Sequence, residues 1–570
     1  MDMLKLYHTQ GFLHSQAAGH PEIEFEGIEV TTGSLGQGFA SAASLAMASK
    51  HLGDKVNVEG FEIVNNKVWC MTGDGYLREG RATLSLAGHL RLNRLSISYD
   101  NNGVSIDSKI DTCFTEDTSA KLLALEWHVI DVGHDATDDP IAIQKAMQEG
   151  KASVADKLIF INTSTTNGIM SESAGLPAAH GSALGDAEVE RVKKAHKQDP
   201  SQKYVLDERV YDSFKPISAS MAVAMSTALL SSLPSKSFRR SEFATRKASG
   251  IVIAKQGLML PQFMAESADL MDSTFVAWSK VLSMTFRSPD LSKSGEDGSF
   301  AGRQINYGIR ELAMVVVANG LTTYHTNAIL PVVSTFFMFL LYAAPAVRMA
   351  ALQRLRVLLL PPNRIGINED APNYRPIALA SFFCAMSGIN YLRPADAEEV
   401  MGAWTTAVQA NVPSLLSLSR QAMLLLEQTS REGGMPNLIL ISTGSEVHLA
   451  IEVASVLTSD ACVTRVISTP CQALFFDQQS AEYKLEVLPM TAGALVVATE
   501  AWSSFGWAKY AHASVGMHSY GTSASADLLY EHFGCELESI AIRVRKSRQR
   551  HTKNGSVMVP AVDKFKELLL

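Results

Sequence analysis

Residues 67–75 read Lys-Val-Trp-Cys-Met-Thr-Gly-Asp-Gly, and residues 95–104 read Leu-Ser-Ile-Ser-Tyr-Asp-Asn-Asn-Gly-Val. In both, a short apolar run ends in turn-forming residues and oxygen ligands, as a strand does where an open α/β sheet binds its ligand. Asn102 follows Asp74 by 28 residues. A carboxylate at one strand end and an amide at the end of the next can together hold a hard divalent cation. A diphosphate, a backbone carbonyl and water would complete its shell. Gly73 and Gly75 allow the backbone to approach phosphate oxygens. A G-D-G triplet alone is also an ordinary turn; the second element at this spacing favours a cofactor site holding Mg²⁺ with a diphosphate.

The same alternation continues outward from this stretch. Strand candidates HVIDV (128–132), LIFINTS (158–164), LILISTGS (438–445) and ALVVATEA (494–501) are separated by longer amphipathic or Ala-rich segments. This rhythm predicts repeated βα units with parallel sheets. Phe39 to His51 reads as a buried helix and Pro140 to Glu149 as a surface crossover helix. Charge-rich and Ser/Lys/Arg-rich stretches over 186–212 and 231–246, then TSREGGMPN at 429–437, read as connections. The expected fold is therefore α/β with three domains: 1–235, 236–430 and 436–570. The first two would be doubly wound parallel-sheet domains, and the C-terminal α/β domain would carry a mixed sheet.

The 570 residues carry 50 Lys plus Arg against 58 Asp plus Glu, a net charge of -8. No broad basic surface is available for a nucleic-acid backbone. Six cysteines lie scattered without C-x-x-C or Cys/His spacing, which predicts neither a disulfide framework nor a zinc site and fits a reducing compartment. The longest apolar run, Thr335 to Val347, has 13 residues, includes Pro345 and ends at Arg348. That is too short to span a bilayer. Neither terminus reads as a secretory or peroxisomal signal.

Asp74 with Asn102 matches the thiamine diphosphate motif, and the blocks around it are similar to the transketolase family over almost the whole chain. They include GHPE (19–22), TTGSLGQG (31–38), SLAGHLRL (85–92), NYGIREL (306–312), TFFMFLLYAAPAVR (335–348), RPAD (393–396), LSRQ (418–421), STGSEV (442–447) and GTSASADLLY (521–530). GHPEIEFEGIEV, FEIVNNKVWCM and YDNN most resemble the fungal dihydroxyacetone synthase branch, the formaldehyde transketolases.

The resemblance implies a cofactor, thiamine diphosphate, with Mg²⁺ (or Ca²⁺ or Mn²⁺) held by Asp74, Asn102 and the carbonyl of Val104. Gly33 and Leu35 would line the diphosphate and thiazolium end. His20 and His180 match histidines near the donor substrate and the reacting carbon. Glu311 would hold the aminopyrimidine in the tautomer that deprotonates the cofactor, on an apolar helix that suits proton sharing. Phe336, Phe339 and Tyr342, spaced by three, would present one helical face to the pyrimidine ring. Asp269 matches a further residue near the cofactor, and a helix cap is an equal reading. Arg246, Ser273 and Arg420 match positions that hold a sugar phosphate. Asp370 would bond an acceptor hydroxyl, and Tyr374 stands where a donor-binding histidine is usual. The partners implied are a sugar phosphate, an aldehyde and a second copy of the chain in a homodimer. A cytoplasmic location follows, with a peroxisomal one left open by family analogy.

Several positions depart from the family pattern. The chain begins well inside the family's first domain, so the helices that cover one sheet face would be missing. Leu312 replaces the histidine after the catalytic glutamate, Pro361-Pro362-Asn363 replaces T-H-D, and Glu79 lacks its usual acidic partner because the following stretch is shorter. These changes leave two readings. One is a transferase moving a two-carbon ketol unit; the other is a degenerate, non-catalytic paralogue serving as a binding or regulatory subunit.

Overall fold

The computed structural model describes residues 22–25, 28–133, 140–152, 159–163, 171–178, 183–203, 205, 243–278, 284–289, 298–325, 328–363, 376–426, 435–458, 462–476, 478–489, 493–522 and 524–553. His20, His180, Asp370 and Tyr374 lie outside them. The chain folds as two compact units, Met1–Met225 with Met284–Ile329, and Ser226–Ser283 with Leu330–Leu570.

In the first unit, helix α1 (Gln37–Val56) leads to strand β1 (Val68–Gly73), short helix α2 (Asp74–Glu79), helix α3 (Arg81–His89) and strands β2 (Leu95–Asp100), β3 (His128–Asp131) and β4 (Ile159–Thr163). The order is β1-β2-β4-β3, and every pairing is parallel. The strands expected from the sequence therefore form one sheet. As β1 is an edge strand, its alternation decides which side is covered. Val68 and Thr72 are buried, whereas Trp69 is exposed and Met71 is 84% exposed. One side of β1 thus lacks cover among the described residues.

Helix α4 (Glu311–Thr323) completes this unit. Its run ELAMVVVANGL is apolar nearly all round, and Ala313 to Leu321 are all buried. Such a helix needs neighbours on every side. One neighbour is α1, whose small residues Ser41 and Ser44 admit close approach at Gly320. Met284–Ile329, expected in the second domain, therefore belongs to the same compact unit as the first sheet.

The second unit contains two more parallel sheets. Strands β5 (Phe263–Ser267), β6 (Leu330–Ser334), β7 (Leu358–Leu359), β8 (Asn390–Leu392) and β9 (Ser414–Leu416) pair in the order β8-β9-β7-β6-β5. Strands β10 (Leu438–Ser442), β11 (Thr464–Ser468), β12 (Leu495–Ser503) and β13 (Ala513–Met517) pair in the order β11-β10-β12-β13. The mixed character expected of this last sheet is not seen among the described residues, whose pairings are all parallel. Every residue of β10, and every residue of β12 except Ser503, is buried, which fits strands covered on both faces.

The RPAD and STGSEV blocks join the two sheets of this unit. Buried Arg393 donates through Nη1 to Glu500 Oε2 at 2.6 Å and through Nη2 to Glu446, and its guanidinium lies 4.7 Å from the Trp502 ring centre. Gly444, at φ 54, passes so close that a Cβ there would lie 2.8 Å from Arg393 Cγ. No helix among the described residues is long and apolar enough to cross a membrane, and all six cysteines are free.

Candidate cofactor and substrate site

The site starts from the parallel register of β1 and β2, which sets Gly73 opposite Asp100 and so brings residues 101–104 beside Gly73–Gly75. A Cβ on Gly73 would meet Tyr76 at 3.7 Å and the Asp100 carbonyl at 3.8 Å, in ordinary van der Waals contact. Asp74 opens α2 and is only 5% exposed. Its Oδ1 accepts a hydrogen bond from the Tyr99 hydroxyl, and its Oδ2 is buried with no hydrogen-bond partner. Burial pushes the Asp74 carboxyl upward, against the pull of the Tyr99 hydroxyl and Arg78. Asn102 is clamped: Nδ2 donates to Asp100 Oδ2 at 2.9 Å, and Oδ1 accepts the Val104 N–H at 3.1 Å. The Val104 side chain is buried, which anchors the turn.

The TTGSLGQG loop lies against the same turn. Gly33 has φ 150 and Gly36 φ 82, values that favour glycine. A Cβ on Gly36 would lie 2.8 Å from Glu79 Cβ, and a Cβ on Gly75 would lie 3.4 Å from Leu35 Cδ1. The sequence candidates Gly33, Leu35, Gly73, Asp74, Gly75, Asn102 and Val104 are therefore brought together. The loop runs into α1, which has no side-chain N-cap. The unsatisfied N–H groups and dipole of a 20-residue helix suit an anion at that end.

Glu311 is the first residue of α4 and is 9% exposed. Among the described residues, none hydrogen-bonds or pairs with its carboxylate. Next to it, Arg310 is fixed by donating to the Tyr307 carbonyl at 2.7 Å and to Ser85 Oγ of α3 at 3.4 Å. Glu79, which lacks its usual acidic partner, is exposed.

In the second unit, Arg246 donates to the Ser273 carbonyl at 2.7 Å and lies over the Phe275 ring at 5.2 Å, so Arg246 and Ser273 are neighbours. The Thr245 N–H and Oγ1 meet Ser419 Oγ at 3.1 and 3.0 Å, and the Ser419 N–H donates to Thr245 Oγ1 at 2.6 Å. This pair ties the backbones that carry Arg246 and Arg420 to each other. Pro362–Asn363, in place of T-H-D, pairs parallel with Leu418–Ser419, next to Arg420. Asp269 is exposed in the left-handed region at φ 61.

The aromatic stripe differs from expectation. Phe336 precedes a turn, Phe339–Ala343 is a 3₁₀ segment, and no α-helical face is formed. A 3₁₀ turn still eclipses residues three apart. Half-buried Phe336 and Phe339 thus lie with ring centres 5.8 Å apart, while Tyr342 is 71% exposed. Phe337 is the buried ring here, packed on Phe383 and Tyr391. Sequence reasoning missed Tyr99 and the Thr245–Ser419 pair. The sole local sign of Tyr99 was a phenol on a strand otherwise built of Leu, Ile, Ser and Asp.

Three family descriptions match the chain in succession: the thiamine diphosphate binding domain of transketolase over residues 1–250, the transketolase pyrimidine binding domain over 241–424, and the transketolase-like C-terminal domain over 424–536. This chain belongs to the transketolase family. It is 36% identical to the dihydroxyacetone synthase of Candida boidinii over 604 residues, covering 98% of this chain and 85% of that protein. It is 38% identical to the dihydroxyacetone synthase of Pichia angusta over 590 residues, covering 95% and 82%. Among solved structures, transketolase from Leishmania mexicana matches with a TM-score of 0.85 at 34% identity, covering 96% of this chain and 85% of that one. Pichia stipitis transketolase in complex with sedoheptulose 7-phosphate matches with a TM-score of 0.87 at 29% identity, covering 100% and 88%. The family's first domain is one that binds thiamine diphosphate, and the residues of this transketolase relative fit that group. Asp74 offers a buried, unpartnered oxygen, glycines line the turn and the loop, and a helix N-terminus lies at the end of that loop.

Proposed function

We propose that this protein is a thiamine diphosphate-dependent transferase that moves a two-carbon ketol unit from a ketose phosphate to an aldehyde, with formaldehyde as an acceptor that yields dihydroxyacetone. The observation that carries this reading is the unpartnered Oδ2 of buried Asp74, in the same compact unit as Glu311, a residue 9% exposed whose carboxylate has no hydrogen-bond partner among the described residues. When bound, thiamine diphosphate supplies the nucleophilic carbon and the electron sink that C–C cleavage needs.

Asp74, Asn102 and the Val104 carbonyl would hold Mg²⁺, which would supply positive charge to the diphosphate. Gly33, Leu35, Gly73 and Gly75 let the backbone close around that end. Glu311 would hold and exchange a proton at its carboxylate toward the aminopyrimidine ring, a role that suits a carboxylate free of other partners. In the second unit, Phe336, Phe339 and Tyr342 would offer aromatic surface to an aminopyrimidine ring, and Asp269 would be a further residue near the cofactor. Arg246, Ser273 and Arg420 bind the phosphate of the sugar. His20 and His180 contact the donor, Asp370 and Tyr374 the sugar hydroxyls. The active form is a homodimer, and free thiols throughout suit a reducing cytoplasm.

The test is transfer of isotopic label. Purified protein with thiamine diphosphate and MgCl₂ is given a ketose phosphate labelled in its first two carbons, with formaldehyde or an aldose phosphate as acceptor. Label is expected in a new ketose. Absence of transfer to both acceptors, with the cofactor demonstrably bound, would overturn the catalytic reading and leave a binding subunit.

A further inference from the structure

Tyr99 lies on β2 opposite Thr72 of β1 and is 2% exposed, so its ring has one place to be. Its hydroxyl donates to Asp74 Oδ1, with Asn101 Oδ1 at 3.4 Å as a weaker neighbour. The other carboxylate oxygen, Oδ2, is buried and has no hydrogen-bond partner. The two oxygens of Asp74 are therefore unequal: one is occupied by a phenol, the other is free for a ligand.

We propose that Tyr99 is a positioning residue that makes Asp74 a one-oxygen ligand and thereby biases the cation site toward Mg²⁺ over Ca²⁺. The inference rests on the reading of Asp74 as a cation ligand. Mg²⁺ is small, demands near-octahedral geometry and is served by single carboxylate oxygens. Ca²⁺ takes six to eight oxygens in flexible arrangements and accepts both oxygens of one carboxylate. With the Tyr99 hydroxyl in place, two-oxygen ligation by Asp74 requires breaking a buried hydrogen bond. Without it, the second oxygen becomes available, and the orientation of the first is no longer fixed. Partners that orient a metal ligand in this way are worth about 10–100-fold in metal affinity.

The experiment titrates MgCl₂ and, separately, CaCl₂ by calorimetry into the full-length protein saturated with thiamine diphosphate. It compares the native protein with Tyr99→Phe and Asp74→Ala. Phenylalanine fills the same buried position, so the core is retained. In Tyr99→Phe we expect Mg²⁺ affinity to fall about tenfold or more while Ca²⁺ affinity changes by less than about threefold. A purely structural role would weaken both cations alike, and that result, or an unchanged ratio, overturns the inference. Asp74→Ala should lose both cations. Native affinity in Asp74→Ala would instead overturn the site reading itself, and this inference with it.

Discussion

Gly320 of α4 meets Ser44 of α1 with no room for a side chain: a Cβ placed on Gly320 would lie 2.5 Å from Ser44 Cβ. This crossing sets the helix that begins at Glu311 against the helix that follows the TTGSLGQG loop. Any larger residue must push the two apart. The better helix propensity of valine returns only a few tenths of a kcal/mol. Gly320→Val should therefore lower stability by about 1–3 kcal/mol, read as a lower urea midpoint. An unchanged midpoint would show that the helices can re-space without cost.

A substitution at Glu311 can separate binding from chemistry. If Asp74 and Asn102 carry the diphosphate and cation contacts, Glu311→Ala should keep most of its thiamine diphosphate affinity. Hydrogen–deuterium exchange at the cofactor C2, followed by NMR after acid quench, should slow by roughly 10²–10⁴-fold, the range typical of a positioned acid–base group. Equal exchange rates in the two proteins would remove Glu311 from the proton path.

Arg246 and Arg420 are tied together through Thr245 and Ser419, whose polar atoms meet at 2.6–3.1 Å. If they grip a sugar phosphate, Arg420→Ala should raise KM for phosphorylated substrates about 10–100-fold, as expected for a lost charge-assisted hydrogen bond. Its kcat should change little, and KM for formaldehyde should stay at the native value. A uniform fall in kcat for every substrate would point to a damaged fold instead.

His51 of α1 is buried, and its Nδ1 lies 3.0 Å from the Phe300 carbonyl. Burial, with Lys55 nearby, pushes the imidazole from 6.5 down to about 4. Because the folded value lies below the unfolded one, the unfolded chain takes up the proton first. Stability is therefore full above 6.5 and is lost as pH falls toward 4. Between pH 7 and pH 5 the loss from this group should be about 2 kcal/mol. Urea midpoints at the two pH values should show it for the native protein and show a smaller drop for His51→Gln.

Arg393 sits among Glu446, Glu500 and Trp502, all buried. Burial pushes the Glu500 carboxyl well above the usual range. Removing the cation strands two carboxylates in the interior. Arg393→Met should cost about 3–5 kcal/mol by urea unfolding. Combining it with Glu446→Gln and Glu500→Gln should restore much of that loss. A triple variant no better than the single would mean that packing on Trp502, rather than charge, carries the stability.

Parallel strands and the cofactor turn were legible in the sequence because each is written locally. An apolar run ending in Gly73-Asp74-Gly75 and another ending in Asn101-Asn102 need no distant partner to be read, and both emerged as neighbouring strands. The buried helix around Phe39 to His51 was legible for the same reason, its small apolar residues being contiguous. Spacing misled at Phe336, Phe339 and Tyr342, where a period of three fits an α-helix and a 3₁₀ turn alike. There the backbone took the turn, and Tyr342 went to solvent.

The sequence by itself thus determined the parallel-sheet class, the family and the chemical types placed at each strand end. Only the tertiary structure decided which groups meet. The Tyr99 hydroxyl reaches Asp74 from 25 residues away, and Thr245 reaches Ser419 from 174 away. Nothing local distinguishes these side chains from other strand and cap residues. An all-round apolar helix such as α4 announces that it will be buried, yet its partnership with α1 rests on Gly320 fitting against Ser44. Burial follows from composition, since it depends on how much apolar surface a segment carries. Pairing depends on shape and register between segments far apart in the chain, and those exist only once the sheets have formed.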